Sequence, residues 1–221
     1  MRYIALVLII LNLASCQSTV QSEKEPKVEQ EFKSDITYEF LVMDVITGDF
    51  DGDGKEDELR ERLISSINNK SIDALPQLEY DSLVTVIFNK KPILSLKSNS
   101  ESIPELMLTK EGSFGLFYAK NEGDLNHDGI DEISIIIDWA DWSACNNCIV
   151  YTLKNGKWIE YAKFDVREWQ ISRNPDFKGF INKNKKGIYE VSTFDSEVNE
   201  ILLPLSKVLV TNVKQKKPKF Q

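Results

Sequence analysis

Between residues 36 and 211 the chain is a series of short apolar runs separated by turn-forming residues. TYEFLVMDVI (37–46), DSLVTVIF (81–88), PILSLKS (92–98), EISIIIDW (132–139), CIVYTLK (148–154), WIEYAKFDV (158–166) and GIYEVSTF (187–194) are rich in β-branched and aromatic side chains. Each has the length and composition of a strand. The breaks are chemical: Asn-Lys-Lys-Pro at 89–92, Lys-Asn-Gly-Lys at 154–157, and Asn-Lys-Asn-Lys-Lys-Gly at 182–187. Asn155-Gly156 predicts a two-residue hairpin turn, because both residues accept positive φ. Ile133–Ile137 is almost wholly apolar, which predicts a strand buried on both faces. DELRERLISSI (57–67) fits two periods: Leu59, Leu63, Ile64 and Ile67 also make a helical stripe with acids at its start. The strand reading is preferred, because the loop before it is of a kind that joins strands. SIDALPQL (71–78) has room for one helical turn. The expected class is mostly β: an abbreviated propeller-like assembly of antiparallel hairpins, or an open sandwich or sheet with one or two short helices.

The two ends differ from this middle. Met1-Arg2-Tyr3 is a short positive start, and Ile4–Leu11 is apolar without interruption. That run has the length of a secretory signal and is too short for a permanent span. It ends in Leu13-Ala14-Ser15-Cys16, which resembles a bacterial lipobox. The resemblance implies cleavage after residue 15, a diacylglyceryl group on Cys16, and a place in the cell envelope, at the outer membrane or cell surface. Several acyl chains on one N-terminus anchor stably where one does not. Residues 16–35 are polar with little to bury, which predicts a disordered tether. Residues 212–221 are basic, which predicts a solvated tail.

Charge narrows the partners. The chain has 35 acids against 27 Lys and Arg, a net charge of −8. Such a protein is a poor nucleic-acid binder. Anionic headgroups would repel it, so lipid rather than charge must hold it at a membrane.

The acids are clustered. GDFDGDGKEDEL (48–59) is echoed by GDLNHDGIDEIS (123–134). Counting each loop from its first Asp, positions 1, 3, 5 and 9 are Asp49, Asp51, Asp53 and Asp57 in one, and Asp124, Asn126, Asp128 and Glu132 in the other. Position 6 is Gly54 or Gly129. Position 7, Lys55 or Ile130, offers a backbone carbonyl. Alternate oxygens on a tightly curved loop converge on one point, and that many hard donors suit Ca²⁺. The alternative is a pair of solvated acidic turns. Position 12, a bidentate glutamate in an EF-hand, is Arg60 or Ile135 here, so the acid at position 9 must take its role.

These loops resemble the calcium loops of FG-GAP or VCBS repeats, the blades of integrin α-chain propellers. Phe114-Gly115, a short strand, Gly123-Asp124 and the loop stand in that repeat's order. The Gly-Ala-Pro of the repeat is replaced by Asp138-Trp139-Ala140, and the first loop has no Phe-Gly before it. The resemblance covers about 45 residues. It implies two structural calcium ions, with dissociation constants on the order of 10⁻⁴–10⁻³ M as in extracellular modules. It also extends to small bacterial lipoproteins that carry such loops.

Three further groups carry possible chemistry. Cys145 and Cys148 have redox spacing but lack a helix start, so a small disulfide or two idle thiols is expected. Zinc would need two more ligands. His127, the only histidine, falls at loop position 4 and points away from a bound ion, which leaves no Ser or Cys triad. Asp138-Trp139-Ala140-Asp141-Trp142, with Trp158 and Trp169 nearby in sequence, would suit a glycan if the indoles flanked a cleft holding both carboxylates. Otherwise the tryptophans fill a core and the aspartates cap a strand. The expectation is a non-enzymatic calcium-binding module that is structural or binds a protein or ligand, with a glycan-directed protein as the alternative.

Overall fold

The computed structural model describes residues 36–172, 176–194 and 199–210. The signal, Cys16, the tether and the basic tail lie outside these residues. In chain order the elements are β1 (Tyr38–Phe40), β2 (Val45–Gly48), β3 (Asp57–Ser65), β4 (Ala74–Pro76), helix α1 (Tyr80–Lys90), β5 (Pro92–Ser98), β6 (Leu106–Thr109), β7 (Ser113–Gly123), β8 (Glu132–Trp139), β9 (Cys145–Lys154), β10 (Lys157–Arg167), helix α2 (Trp169–Ser172), β11 (Ile181–Lys183), β12 (Tyr189–Phe194) and β13 (Glu200–Pro204). They form four antiparallel sheets: β2-β3-β5-β6, β7-β8-β9-β10, β11-β12-β13 and the pair β1-β4. No sheet closes into a barrel among the described residues. The expected mostly-β class, built from antiparallel hairpins with short helices, is what the chain adopts.

The first two sheets have the same plan. Each is a four-stranded meander whose first two strands are joined by an acidic loop. In the first sheet, β4 and α1 are inserted between β3 and β5. This insertion accounts for the long spacing between the loops.

The second sheet is the middle layer of two cores. Ile133, Ile135 and Ile137 of β8 join Phe50, Leu59, Leu63, Leu94 and Leu96 of the first sheet and its loop. Ile136 faces the other way, with Cys148, Val150, Phe164, Val166, Phe180 and Val191. β8 therefore loses water on both faces, as its unbroken apolar run predicted. Leu59, Leu63, Leu94 and Leu96 are fully buried, and each contributes roughly 1.5–3 kcal/mol of transfer free energy.

DELRERLISSI is strand over Asp57–Ser65, with alternate residues buried. At the β9–β10 turn, Lys154 pairs with Lys157, and Asn155 and Gly156 have φ of 51° and 68°. This is the expected two-residue hairpin.

Three local expectations are corrected. DSLVTVIF lies in α1 rather than a strand. Tyr80, Leu83, Val84 and Ile87 recur at helical spacing; Ile87 is buried, and Leu83 and Val84 pack on the first core. Asp81 in the first turn and Lys90 in the last favour the helix dipole. Docking of this stripe outweighs the β propensity of Val-Thr-Val-Ile. SIDALPQL holds no helical turn: Ala74–Pro76 is β4, pairs with β1, and buries Leu75. TYEFLVMDVI is broken into β1 and β2, where Asp44 turns aside to exchange hydrogen bonds with Glu61.

Candidate metal centre

Each acidic loop follows a strand-ending glycine, Gly48 or Gly123, and ends on a buried acid that opens the next strand, Asp57 or Glu132. Three hydrogen bonds inside each loop correspond position by position. The position 2 N–H donates to the position 9 carboxylate: Phe50 to Asp57 at 3.0 Å, and Leu125 to Glu132 at 2.7 Å. The position 6 glycine N–H donates to the position 1 carboxylate: Gly54 to Asp49 at 2.9 Å, and Gly129 to Asp124 at 3.0 Å. The position 7 N–H donates to the position 5 carboxylate: Lys55 to Asp53 at 2.8 Å, and Ile130 to Asp128 at 3.2 Å. Positions 4 and 6 are left-handed in both: Gly52 and Gly54 at φ 79° and 82°, His127 and Gly129 at 61° and 90°. His127 is exposed at position 4.

In the first loop Asp49, Asp51 and Asp57 offer carboxylate oxygens that all lie within 4.8 Å of one another. Oxygens at 2.3–2.6 Å from one Ca²⁺ stand up to ~5 Å apart, so the three fit one ion. Ser102 donates its hydroxyl to Asp51 from the β5–β6 connection. Asp53 is not in this set: its carboxylate takes the Lys55 ammonium at 2.6 Å, and that hydrogen bond lowers its pKa. Burial raises the pKa of Asp57, and the charges of Asp51, Asp53 and Asp49 add to the rise.

The second loop is drawn onto itself. Asn126 donates its amide N–H to Glu132, and Asp124 takes the N–H groups of Asp128 and Gly129. Glu132 is fully buried, and desolvation pushes its pKa up to about 7, with the charges of Asp128 and Asp124 adding to the rise.

The two loops also touch. Asp131, at position 8 of the second loop, accepts the N–H of Asp49 and donates its own to the Asp49 carbonyl. Asn121 donates to the same Asp131 oxygen at 2.8 Å and to the Thr47 carbonyl at 2.9 Å. Gly48 lets this happen, because a Cβ there would stand 2.3 Å from the Asn121 amide. A shallow cavity beside them is lined by Asp51, Asp53, Ile130 and the Asn155–Gly156 turn.

The sequence reading missed Asp131, Asn121, Ser102 and Glu61. Asp131 had a local signal, an acid directly before position 9, where the first loop has Glu56. The partners of Phe114-Gly115 were not legible: Gly115 has φ 129°, and a Cβ there would stand 2.6 Å from a carboxylate oxygen of Glu61. Glu61 accepts the Asp44 and Leu116 N–H groups at 2.9 and 2.8 Å.

The tryptophan cluster splits. Trp139 packs on the first core. Trp142 is 75% exposed, edge-on to Tyr80 at 4.6 Å, and Tyr80 donates its hydroxyl to the Asp141 carbonyl. Asp138 is half-buried and Asp141 exposed. Trp158 donates to the Pro104 carbonyl at 2.7 Å and stands near Phe50. Trp169 lies against Phe194.

Of the two expectations for Cys145 and Cys148, a small disulfide or two thiols, the structure has two free thiols, one exposed and one buried. Both lie in β9, where residues three apart point to opposite faces and stand ~10 Å apart, beyond the reach of a disulfide.

No helix among the described residues is long and apolar enough to cross a membrane. The chain matches no family model, no curated protein and no solved structure.

Proposed function

We propose that the chain is an exported, lipid-anchored calcium-binding module of the cell envelope, without catalytic activity, in which the ions fix two strand connections of a β scaffold that binds a protein or other ligand. The observation that carries this reading is the convergence of Asp49, Asp51 and Asp57 oxygens in a loop whose hydrogen-bond pattern recurs around Asp124 and Glu132. Carboxylates this close repel by ~1 kcal/mol per pair even at water-like screening, and a divalent ion reverses the sign. In the second loop Asp124, Asp128, Glu132 and the amide oxygen of Asn126 would be the donors, once that amide turns its oxygen inward. Calorimetric titration with Ca²⁺ tests the reading. Asp49→Ala and Asp124→Ala should each remove one bound equivalent, and unchanged titrations would refute it.

A glycan-directed role is the second reading. Exposed Trp142, edge-on to Tyr80 beside Asp141, favours it; the packing of Trp139 into the core leaves it one indole of the two it wanted.

A further inference from the structure

We propose a third divalent-cation site, formed by Asp138, Asn146 and Glu168 at the end of the second sheet opposite the acidic loops. The three come from adjacent places on neighbouring strands. Asp138 is next to last in β8, Asn146 is second in β9, and Glu168 directly follows β10. Ile136, Cys148 and Val166 turn into the second core. One alternation onward on the same face stand Asp138 and Glu168, and one alternation before Cys148 stands Asn146. Val166 pairs with Asn146, and the Glu168 N–H continues that ladder to the Ala144 carbonyl at 3.2 Å.

Asn146 points to a ligand. It is 4% exposed, and its amide N–H reaches a Glu168 carboxylate oxygen at 2.8 Å, so the group lies at that acid. Its Oδ1 is buried and has no hydrogen-bond partner. A buried amide oxygen left so costs ~1–3 kcal/mol, and an ion beside it would supply the missing interaction. The acids around it are uncompensated. Burial acts most on Asp138, and the charged groups that act on it, Glu168 and Asp141, are both of its own sign. Two carboxylates and an amide oxygen are hard donors, the chemistry of Ca²⁺ rather than of a thiophilic metal. Asp138 and Glu168 are only half-buried, which leaves water-filled coordination positions and a way in.

This site is independent of the two loops, and its test separates them. The protein is the chain from Gln17 onward, carrying Asp49→Ala and Asp124→Ala, titrated calorimetrically with calcium chloride. One weak equivalent should remain. Glu168→Gln should lower its affinity at least tenfold, and Asn146→Asp, which adds a charge at the orphan oxygen, should raise it. No remaining equivalent, or one that neither substitution alters, overturns the proposal. If circular dichroism shows that the doubly substituted chain does not fold, the comparison is made with native loops. There Glu168→Gln should remove one equivalent, and an unchanged count overturns the site.

Discussion

Asp49 and Asp131, 82 residues apart, are joined through the backbone of Asp49: its N–H donates to Asp131 Oδ2 at 3.1 Å, and the Asp131 N–H donates to its carbonyl at 2.9 Å. The first acid of one loop is thus positioned by the other loop. Asp131→Ala would leave the N–H of Asp49 and the amide of Asn121 without that acceptor, at a cost of ~1–3 kcal/mol. Urea unfolding should show this loss. Calcium titration should show weaker binding at the first loop, although Asp131 is not one of its ligands. Asp131→Asn, which keeps an oxygen, should lose less of both.

Gly115 and Gly156 distinguish close approach from backbone conformation. Both have positive φ, but a Cβ at Gly115 meets Glu61 Oε1 at 2.6 Å, while nothing lies within 4 Å at Gly156. Gly156→Ala should cost ~1–2 kcal/mol, the left-handed penalty alone. Gly115→Ala must also displace a buried carboxylate and should cost at least ~1 kcal/mol more. Equal denaturation midpoints would show that Glu61 yields freely.

Glu61 also gives a pH dependence. Burial raises its pKa above 4.5, against the pull of two backbone N–H donors. The folded state therefore holds the proton to higher pH than the unfolded chain does. Stability contributed by the neutral form is complete below the unfolded value and is lost as pH rises through the folded one. In EDTA, stability should fall as pH rises from about 4.5 toward neutrality, and Glu61→Gln should flatten part of that slope. An identical slope in the variant would assign the effect to other acids.

The cysteines should react singly. Cys145 is exposed; Cys148 is buried, and desolvation pushes its thiol pKa well up. Alkylation of the folded chain from Gln17 onward should add one label, at Cys145, without prior reduction, and denaturant should add the second. A requirement for reductant would contradict the strand geometry.

Much of the fold was legible where one local signal dominated. The uninterrupted apolar run at Ile133–Ile137 marked the central strand, and Asn155-Gly156 fixed a hairpin. Both acidic loops were legible because their oxygens, glycines and spacing all lie within nine residues. α1 was not, because Val-Thr-Val-Ile has strand propensity and only packing of Leu83, Val84 and Ile87 on the core selects the helix. The short strands β6, β11 and β13 were missed because their pairing partners, not their own composition, define them. Ser102 and Glu61 act on residues 51 and 55 positions away, and such contacts leave no local trace; Asp131 reaches Asp49 across 82 residues and shows in the sequence only as an acid before position 9. Cys145 and Cys148 were left as a disulfide or two thiols for a related reason: spacing alone does not say which strand face each residue takes.

The central claim is that the acidic loops need a divalent ion among their oxygens. It is tested most directly by thermal unfolding of the chain from Gln17 onward, in EDTA and then in millimolar Ca²⁺. At roughly ten times the dissociation constant, each site would add ~1.4 kcal/mol, and each kcal/mol raises Tm by ~2–4 °C at this size. The account predicts a rise of several degrees, reduced in part by Asp49→Ala and in part by Asp124→Ala. The same Tm with and without calcium would contradict it.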